Sequence, residues 1–146
     1  MAVIDITDRE GKLLEPEWLA KAESVHRQLR PHLPVDYVGT MRRVFVGGGR
    51  MAVAAEQQQV HGVAVWRCYE NTVNGLFLYV DDLITDESLR SRGVGKQLLD
   101  HCRAIARHLG CNVFALDSGT QRTQAHKFYF REQMHISAFH FIEELK

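Results

Sequence analysis

Residues 78 to 109 leave the backbone few choices. Leu78-Tyr-Val-Asp-Asp-Leu-Ile-Thr85 is an apolar, β-branched run that reads as a buried strand. A polar turn at Asp86-Glu-Ser88 leads into Arg90-Ser-Arg-Gly-Val-Gly95 and then Lys96-Gln-Leu-Leu99. Apolar residues recur at Val94, Leu98, Cys102, Ile105 and Leu109, the stripe of an amphipathic helix, with Gly110 where a helix C′ residue belongs. A basic, glycine-bearing loop is therefore expected at the N-terminus of a helix, directly after a strand. Asn112-Val-Phe-Ala-Leu116 reads as a short buried strand. A strand, a crossover helix and an adjacent strand form a right-handed βαβ unit, so the strands at 78–85 and 112–116 are expected to run parallel.

That placement has a chemical meaning. A helix N-terminus presents unpaired N–H groups and the positive end of the macrodipole, which together attract anions. Gly93 and Gly95 let the backbone approach a ligand, while Arg90, Arg92 and Lys96 surround the same point with cationic side chains. The loop suits a phosphate or pyrophosphate; on its own it is equally a solvated basic turn. A P-loop needs Ser or Thr after Gly-Lys, and Gln97 follows Gly95-Lys96. A dinucleotide fingerprint needs a third glycine where Leu98 stands. What remains is Arg-x-x-Gly-x-Gly after a strand.

The rest of the chain supplies the frame. Pro16 opens a helical pattern through Trp18, Leu19, Ala22, Val25 and Leu29, closed by Pro31 and Pro34. A second helix is predicted from Asp36 through Val46, ended by Gly47-Gly-Gly49. Val3-Ile-Asp-Ile6 is a short candidate strand. Met51–Ala55, Val60–Trp66 and the strand ending at Thr85 form an antiparallel meander, with turns at Gln57–Gln59 and Asn71–Gly75. A helix is expected from about Gln121 to Glu132, and Ile136–Leu145 alternates as a closing strand.

Composition narrows the partners. Net charge is zero over 146 residues, so bulk electrostatics points to neither nucleic acid nor membrane. No apolar run reaches the roughly 20 residues that span a bilayer. Met1-Ala-Val-Ile-Asp5 lacks the charged start and apolar core of a signal peptide, so a cytoplasmic location is expected. Three cysteines without paired spacing argue against a disulfide framework. His101, Cys102, His108 and Cys111 invite a zinc reading, but Cys102 lies on the apolar stripe and the histidines on other faces, so no metal is expected.

The loop resembles the pyrophosphate loop of the GNAT-type N-acetyltransferases, and Ala125-His-Lys-Phe-Tyr129 resembles their second signature, on the helix after the fifth strand. The order of elements matches, and the resemblance covers nearly the whole chain. Arg122 stands where the family commonly has Asn, and Gln133-Met134 where a Gly followed by an aromatic is usual. The resemblance implies an α/β fold: a mixed, mostly antiparallel sheet splayed at a parallel strand pair and flanked by about four helices, as one acetyltransferase domain over residues 1–146.

It also implies transfer of an acetyl group from acetyl-CoA, as cosubstrate, to a primary amine. Backbone groups of Leu83, Ile84 and Thr85 would pair with the pantetheine arm, and the Leu83 N–H would face the developing oxyanion. Arg90, Ser91, Arg92, Gly93, Val94, Gly95 and Lys96 would hold the pyrophosphate. Tyr129 matches the family's general acid; a thiol near 8.5 can take a proton from a phenol near about 10, although Phe128-Tyr-Phe130 also reads as core packing. Asp81 and Asp82 are the candidate bases, with His126 next in line. Strand alternation would send the two carboxylates to opposite faces, leaving one for the acceptor, unless they cap the loop or pair with Arg90 or Arg92. The aspartates favour a small cationic acceptor, with residues 69–80 and 121–140 lining its pocket. A protein or peptide amine is the alternative acceptor, and a non-catalytic acyl-CoA-binding module the alternative function. A homodimer is expected, paired through the final strand with Phe139 and Phe141 on one face.

Overall fold

Gln57 and Gln58 take left-handed φ values, 51° and 63°, and turn β2 (Arg50–Glu56) back onto β3 (Gln59–Asn71). At the next reversal the Asn71 side chain accepts from the Asn74 N–H at 2.8 Å, and β4 (Gly75–Thr85) begins. Together with β1 (Ala2–Asp5), these strands pair antiparallel in sequence order. β5 (Val113–Leu116) lies on the far side of β4 and parallel to it, so the five-stranded sheet is mixed. β3 runs past the expected end at Trp66, because Arg67 to Glu70 keep pairing, with Tyr79 to Leu76 of β4.

The computed structural model describes residues 1–146 in two units, Met1–Ala115 and Leu116–Lys146. In the first, α1 (Pro16–Leu29) and α2 (Tyr37–Val46) cover one face of the sheet. Asp36 caps α2 by accepting from the Gly39 N–H at 2.9 Å. Leu19, Ala22, Val25, Met41 and Phe45 pack there against Met51, Val53, Val63, Val65 and Ile84. α3 (Val94–His108) covers the opposite face, over the small residues Ala52, Ala54, Gly62 and Ala64. A Cβ on Gly62 would stand 2.6 Å from Val94 Cγ1 and 2.9 Å from Leu98 Cδ1, so the close seat of α3 depends on that glycine.

In the second unit α4 (Thr123–Arg131) is capped at Glu132, and the next residue, Gln133, has a left-handed φ of 67° that prevents its continuation. The strand expected over Ile136–Leu145 does not form. Alternation records a periodicity in one segment, but a strand exists only where a second backbone pairs with it, and none of the five strands does. Phe139 and Phe141 are 85% and 90% exposed.

Candidate active site

The site is built on a bulge. From Asn71↔Gly75 to Trp66↔Val80 the β3–β4 register is regular; then Val65 pairs with Asp82, and Asp81 is the extra residue. The shift reverses the phase of the strand. Before it, the Leu76 carbonyl faces β5 and accepts from the Asn112 N–H at 2.7 Å. After it, the Asp86 N–H donates to the His61 carbonyl at 2.8 Å, which puts Ile84 and Asp82 in the pairs that bond to β3. Leu83 and Thr85 therefore turn their N–H and C=O groups away from β3. β5, only four residues long and bonded from Asn112 to Leu76, ends near Asp81. The edge of β4 from Leu83 to Thr85 is open. Ile84, by contrast, spends its backbone on β3 and its side chain in the core.

The bulge also corrects the expectation about the carboxylates. Asp81 and Asp82 do not point to opposite faces, because the extra residue cancels the alternation. Both lie on the α1–α2 side. Arg67 Nε donates to Asp81 Oδ2 at 2.9 Å, and His26 of α1 meets Asp82 Oδ2 through Nε2 at 2.7 Å. Arg30, at the end of α1, donates to Asp82 Oδ1 from Nε at 2.9 Å and from Nη2 at 2.7 Å; Nη2 also reaches the Asp81 carbonyl at 3.1 Å. Neither aspartate pairs with Arg90 or Arg92. His26 Nδ1 continues the chain to the Tyr37 hydroxyl at 2.8 Å, and both rings are buried.

These surroundings separate two adjacent carboxyls. Burial lifts Asp81 above the ordinary carboxylate value, and Arg67 only partly offsets it. Burial acts on Asp82 in the same direction, but hydrogen bonds and charge from His26 and Arg30 outweigh it, and the net shift is downward. Burial also pushes the Tyr37 phenol well above its ordinary value. The partners His26, Arg30 and Arg67 were missed in the sequence. His26 alone left a signal, as a titratable ring one place from Val25 on the apolar face of α1.

The loop after β4 opens with a short 3₁₀ turn, Glu87–Leu89, capped by Asp86 accepting from the Ser88 N–H at 3.1 Å. Ser91 and Gly93 are both left-handed, at φ 68° and 80°. Gly93 is the N-cap of α3, with no side-chain cap, and the first helical bond runs from the Gln97 N–H to its carbonyl at 3.0 Å. The N–H groups of Val94 and Gly95 thus have no acceptor within the helix. Beyond its own chain neighbours, nothing stands within 4 Å of where a Gly93 Cβ would lie, so the space beside the positive end of the dipole is open. Arg90, Ser91, Arg92, Gly93 and Lys96 are exposed, and Lys96 pairs with Asp100 at 3.3 Å one turn on.

In the second unit Tyr129 lies half-buried on α4, its ring 5.4 Å from that of Phe128. Burial raises its phenol above the ordinary value, against the pull of Arg122. His126 Nε2 donates to the Gly119 carbonyl at 2.8 Å, which fixes the proton on that nitrogen. The zinc candidates are dispersed among other tasks: His101 Nε2 meets Asp5 at 2.8 Å and Cys102 is buried. No three metal-ligating side chains converge anywhere in the chain, and no helix is long and apolar enough to cross a membrane.

Comparison with known proteins is consistent with this geometry. The profile of the Acetyltransferase (GNAT) family matches residues 14–134. The uncharacterized N-acetyltransferase YhdJ of Bacillus subtilis (strain 168) is 46% identical over 55 residues, a match spanning 38% of this chain and 39% of that relative's length. Among solved structures, the aminoglycoside N-acetyltransferase AAC(6')-Iy in complex with CoA superposes with a TM-score of 0.82 at 18% identity, covering 99% of this chain and 95% of that one. An acetyltransferase of Trypanosoma brucei gives 0.77 at 22% identity, covering 99% of each chain. Identities this low establish a shared fold.

Proposed function

The chain belongs to the Acetyltransferase (GNAT) family, and on that premise we propose that it transfers an acetyl group from acetyl-CoA to the primary amine of a small cationic molecule, by direct attack. The observation that carries this reading is the open edge of β4 at Leu83 and Thr85, followed in sequence by the open space at Gly93. An extended pantetheine arm can bond to that edge as a further strand would, while the pyrophosphate takes the N–H groups of α3 and the exposed Arg90, Ser91, Arg92 and Lys96. The missing Cβ of Gly93 supports this assignment. A bulky phosphate needs the space that any other residue would fill.

In the reaction, the amine nitrogen forms a bond to the thioester carbon, and the oxyanion accepts from the Leu83 N–H. The tetrahedral intermediate collapses with cleavage of the C–S bond. Tyr129, which burial keeps protonated through the neutral range, gives its proton to the departing sulfur. The proton shed by the amine passes to Asp81, directly or through water. Asp81 suits a base better than Asp82: its raised value brings it closer to the working pH, whereas Asp82 is occupied by His26 and Arg30. The carboxylate pair favours a cationic acceptor, and the aminoglycoside acetyltransferase of like fold points to the same class.

The family match runs across both units and supports reading residues 1–146 as a single acetyltransferase domain. A cytoplasmic homodimer completes the proposal. The deciding experiment measures free thiol released from acetyl-CoA across a panel of primary amines. Turnover with small cationic amines is the expected result. Saturable CoA binding without thiol release from any amine would make the chain an acyl-CoA-binding module instead, and release only with peptides would move the acceptor to a protein amine.

A further inference from the structure

Two cysteines far apart in sequence meet in space. Cys68 lies on β3 and Cys111 in the turn between α3 and β5; both are free thiols, and their Sγ atoms stand 3.5 Å apart. Separate parts of the fold bring them there. Cys68 pairs opposite Leu78 and points to the α3 face, the same side as Trp66 two residues earlier, whose ring meets His101 of α3 edge-on. Cys111 is held through the backbone: its N–H donates to the Ala106 carbonyl at 2.9 Å, and the next N–H, that of Asn112, donates to the Leu76 carbonyl at 2.7 Å. Cys68 and Cys111 are both only partly buried. The third cysteine, Cys102, is wholly buried on α3, and its thiol is pushed up to about 12 by burial.

We propose that Cys68 and Cys111 are an oxidation site, forming a reversible disulfide when the folded protein meets a hydroperoxide. One sulfur, as thiolate, attacks a peroxide oxygen; the O–O bond breaks, and a sulfenic acid and water result. The second sulfur attacks the first, the S–S bond forms, and a second water leaves. Two thiols and one hydrogen peroxide thus become one disulfide and two waters, the two electrons passing from sulfur to oxygen. Burial and the hydrogen bond with Cys68 push the Cys111 thiol up to about 11, which disfavours it as the thiolate that first meets the peroxide. To bond, the sulfurs close from the 3.5 Å at which they already meet to about 2 Å.

The cross-link would tie together positions 43 residues apart and restrict the unfolded chain accordingly. For a protein of this size the expected rise in Tm is on the order of 10 °C. The test treats the whole folded protein with equimolar hydrogen peroxide, denatures it, alkylates it and measures its intact mass. One alkylated cysteine, Cys102, is expected in place of three, with a proteolytic peptide joining Cys68 to Cys111 and a Tm rise that dithiothreitol reverses. Cys68→Ser and Cys111→Ser should each abolish link and rise, whereas Cys102→Ser should keep both. Sulfinic acid at Cys68 without a link, a disulfide between two chains, or three alkylated cysteines after treatment would overturn the proposal.

Discussion

At the residue scale, two adjacent aspartates differ in what their neighbours leave them free to do. Asp82 is held below its unfolded value of about 3.9 by His26 and Arg30, so the folded chain binds fewer protons than the unfolded chain near that pH. Its contribution to stability is complete above that value and is lost as pH falls through the lower, folded one. Asp81 is shifted upward, so its charge opposes folding above about pH 4. Asp82→Asn is therefore expected to lower stability at pH 7 by roughly 1–3 kcal/mol, through lost partnership with two buried or half-buried donors, and Tm with it, while Asp81→Asn leaves Tm unchanged or higher. Thermal melts of the two variants at pH 7 and pH 4 check the assignment; equal losses in both would remove the distinction. Activity should divide the other way. If Asp81 takes the amine proton, kcat/KM falls on the acid side with an apparent value above 3.9, and Asp81→Asn loses that limb and partly recovers at high pH. Should both variants keep the limb, His126 is the next group to replace. Tyr129→Phe is expected to cut kcat by roughly 10²-fold while leaving CoA affinity intact; undiminished turnover would return Tyr129 to a packing role.

At the scale of elements, the bulge and the glycine cap make an open strand edge and a helix N-terminus without a side-chain cap follow one another along the chain. The Cβ of Gly93→Val falls in open space, so the main folding penalty is that of a β-branched residue at φ 80°, roughly 1–3 kcal/mol. The protein should still fold but lose the rise in Tm that CoA produces by mass action; an unchanged rise would place the phosphate elsewhere. Much of this element was legible in the sequence. The apolar strand, the glycines and the helical stripe from Val94 are local patterns, and local patterns survive in one dimension. The bulge was not, because it is a property of the pairing between two strands, and nothing in Val80-Asp81-Asp82-Leu83 marks the extra residue. The same reason hid Arg67 beside Asp81, Arg30 on Asp82, and the contact between Cys68 and Cys111: each depends on a register set elsewhere in the chain. The strand expected over Ile136–Leu145 is the opposite error, a local pattern read as an element without the partner that an element needs.

At the scale of the molecule, that unpaired segment poses the assembly question. Ile136, Phe139, Phe141, Ile142 and Leu145 are between 69% and 90% exposed, within a stretch whose backbone joins no strand. The His140–Asp117 ion pair at 2.7 Å ties it to the loop before α4, but both side chains are solvent-exposed, and such pairs contribute under about 1 kcal/mol. A run of large apolar side chains left in water is a marker of an interface, since two phenylalanines alone carry roughly 150–250 Å² each that water would otherwise cover. In the homodimer proposed above, a second copy of the chain would cover these alternating apolar residues, one such segment beside its symmetry mate across a two-fold axis. Sedimentation at micromolar concentration is then expected to give twice the monomer mass of 16.7 kDa. Replacing Phe139 and Phe141 together with serine should return the monomer while leaving the CoA-dependent rise in Tm in place, because the Gly93 loop and the β4 edge lie in the other unit. A wild-type chain that sediments as a monomer would remove the dimer and leave those five side chains unexplained by self-association.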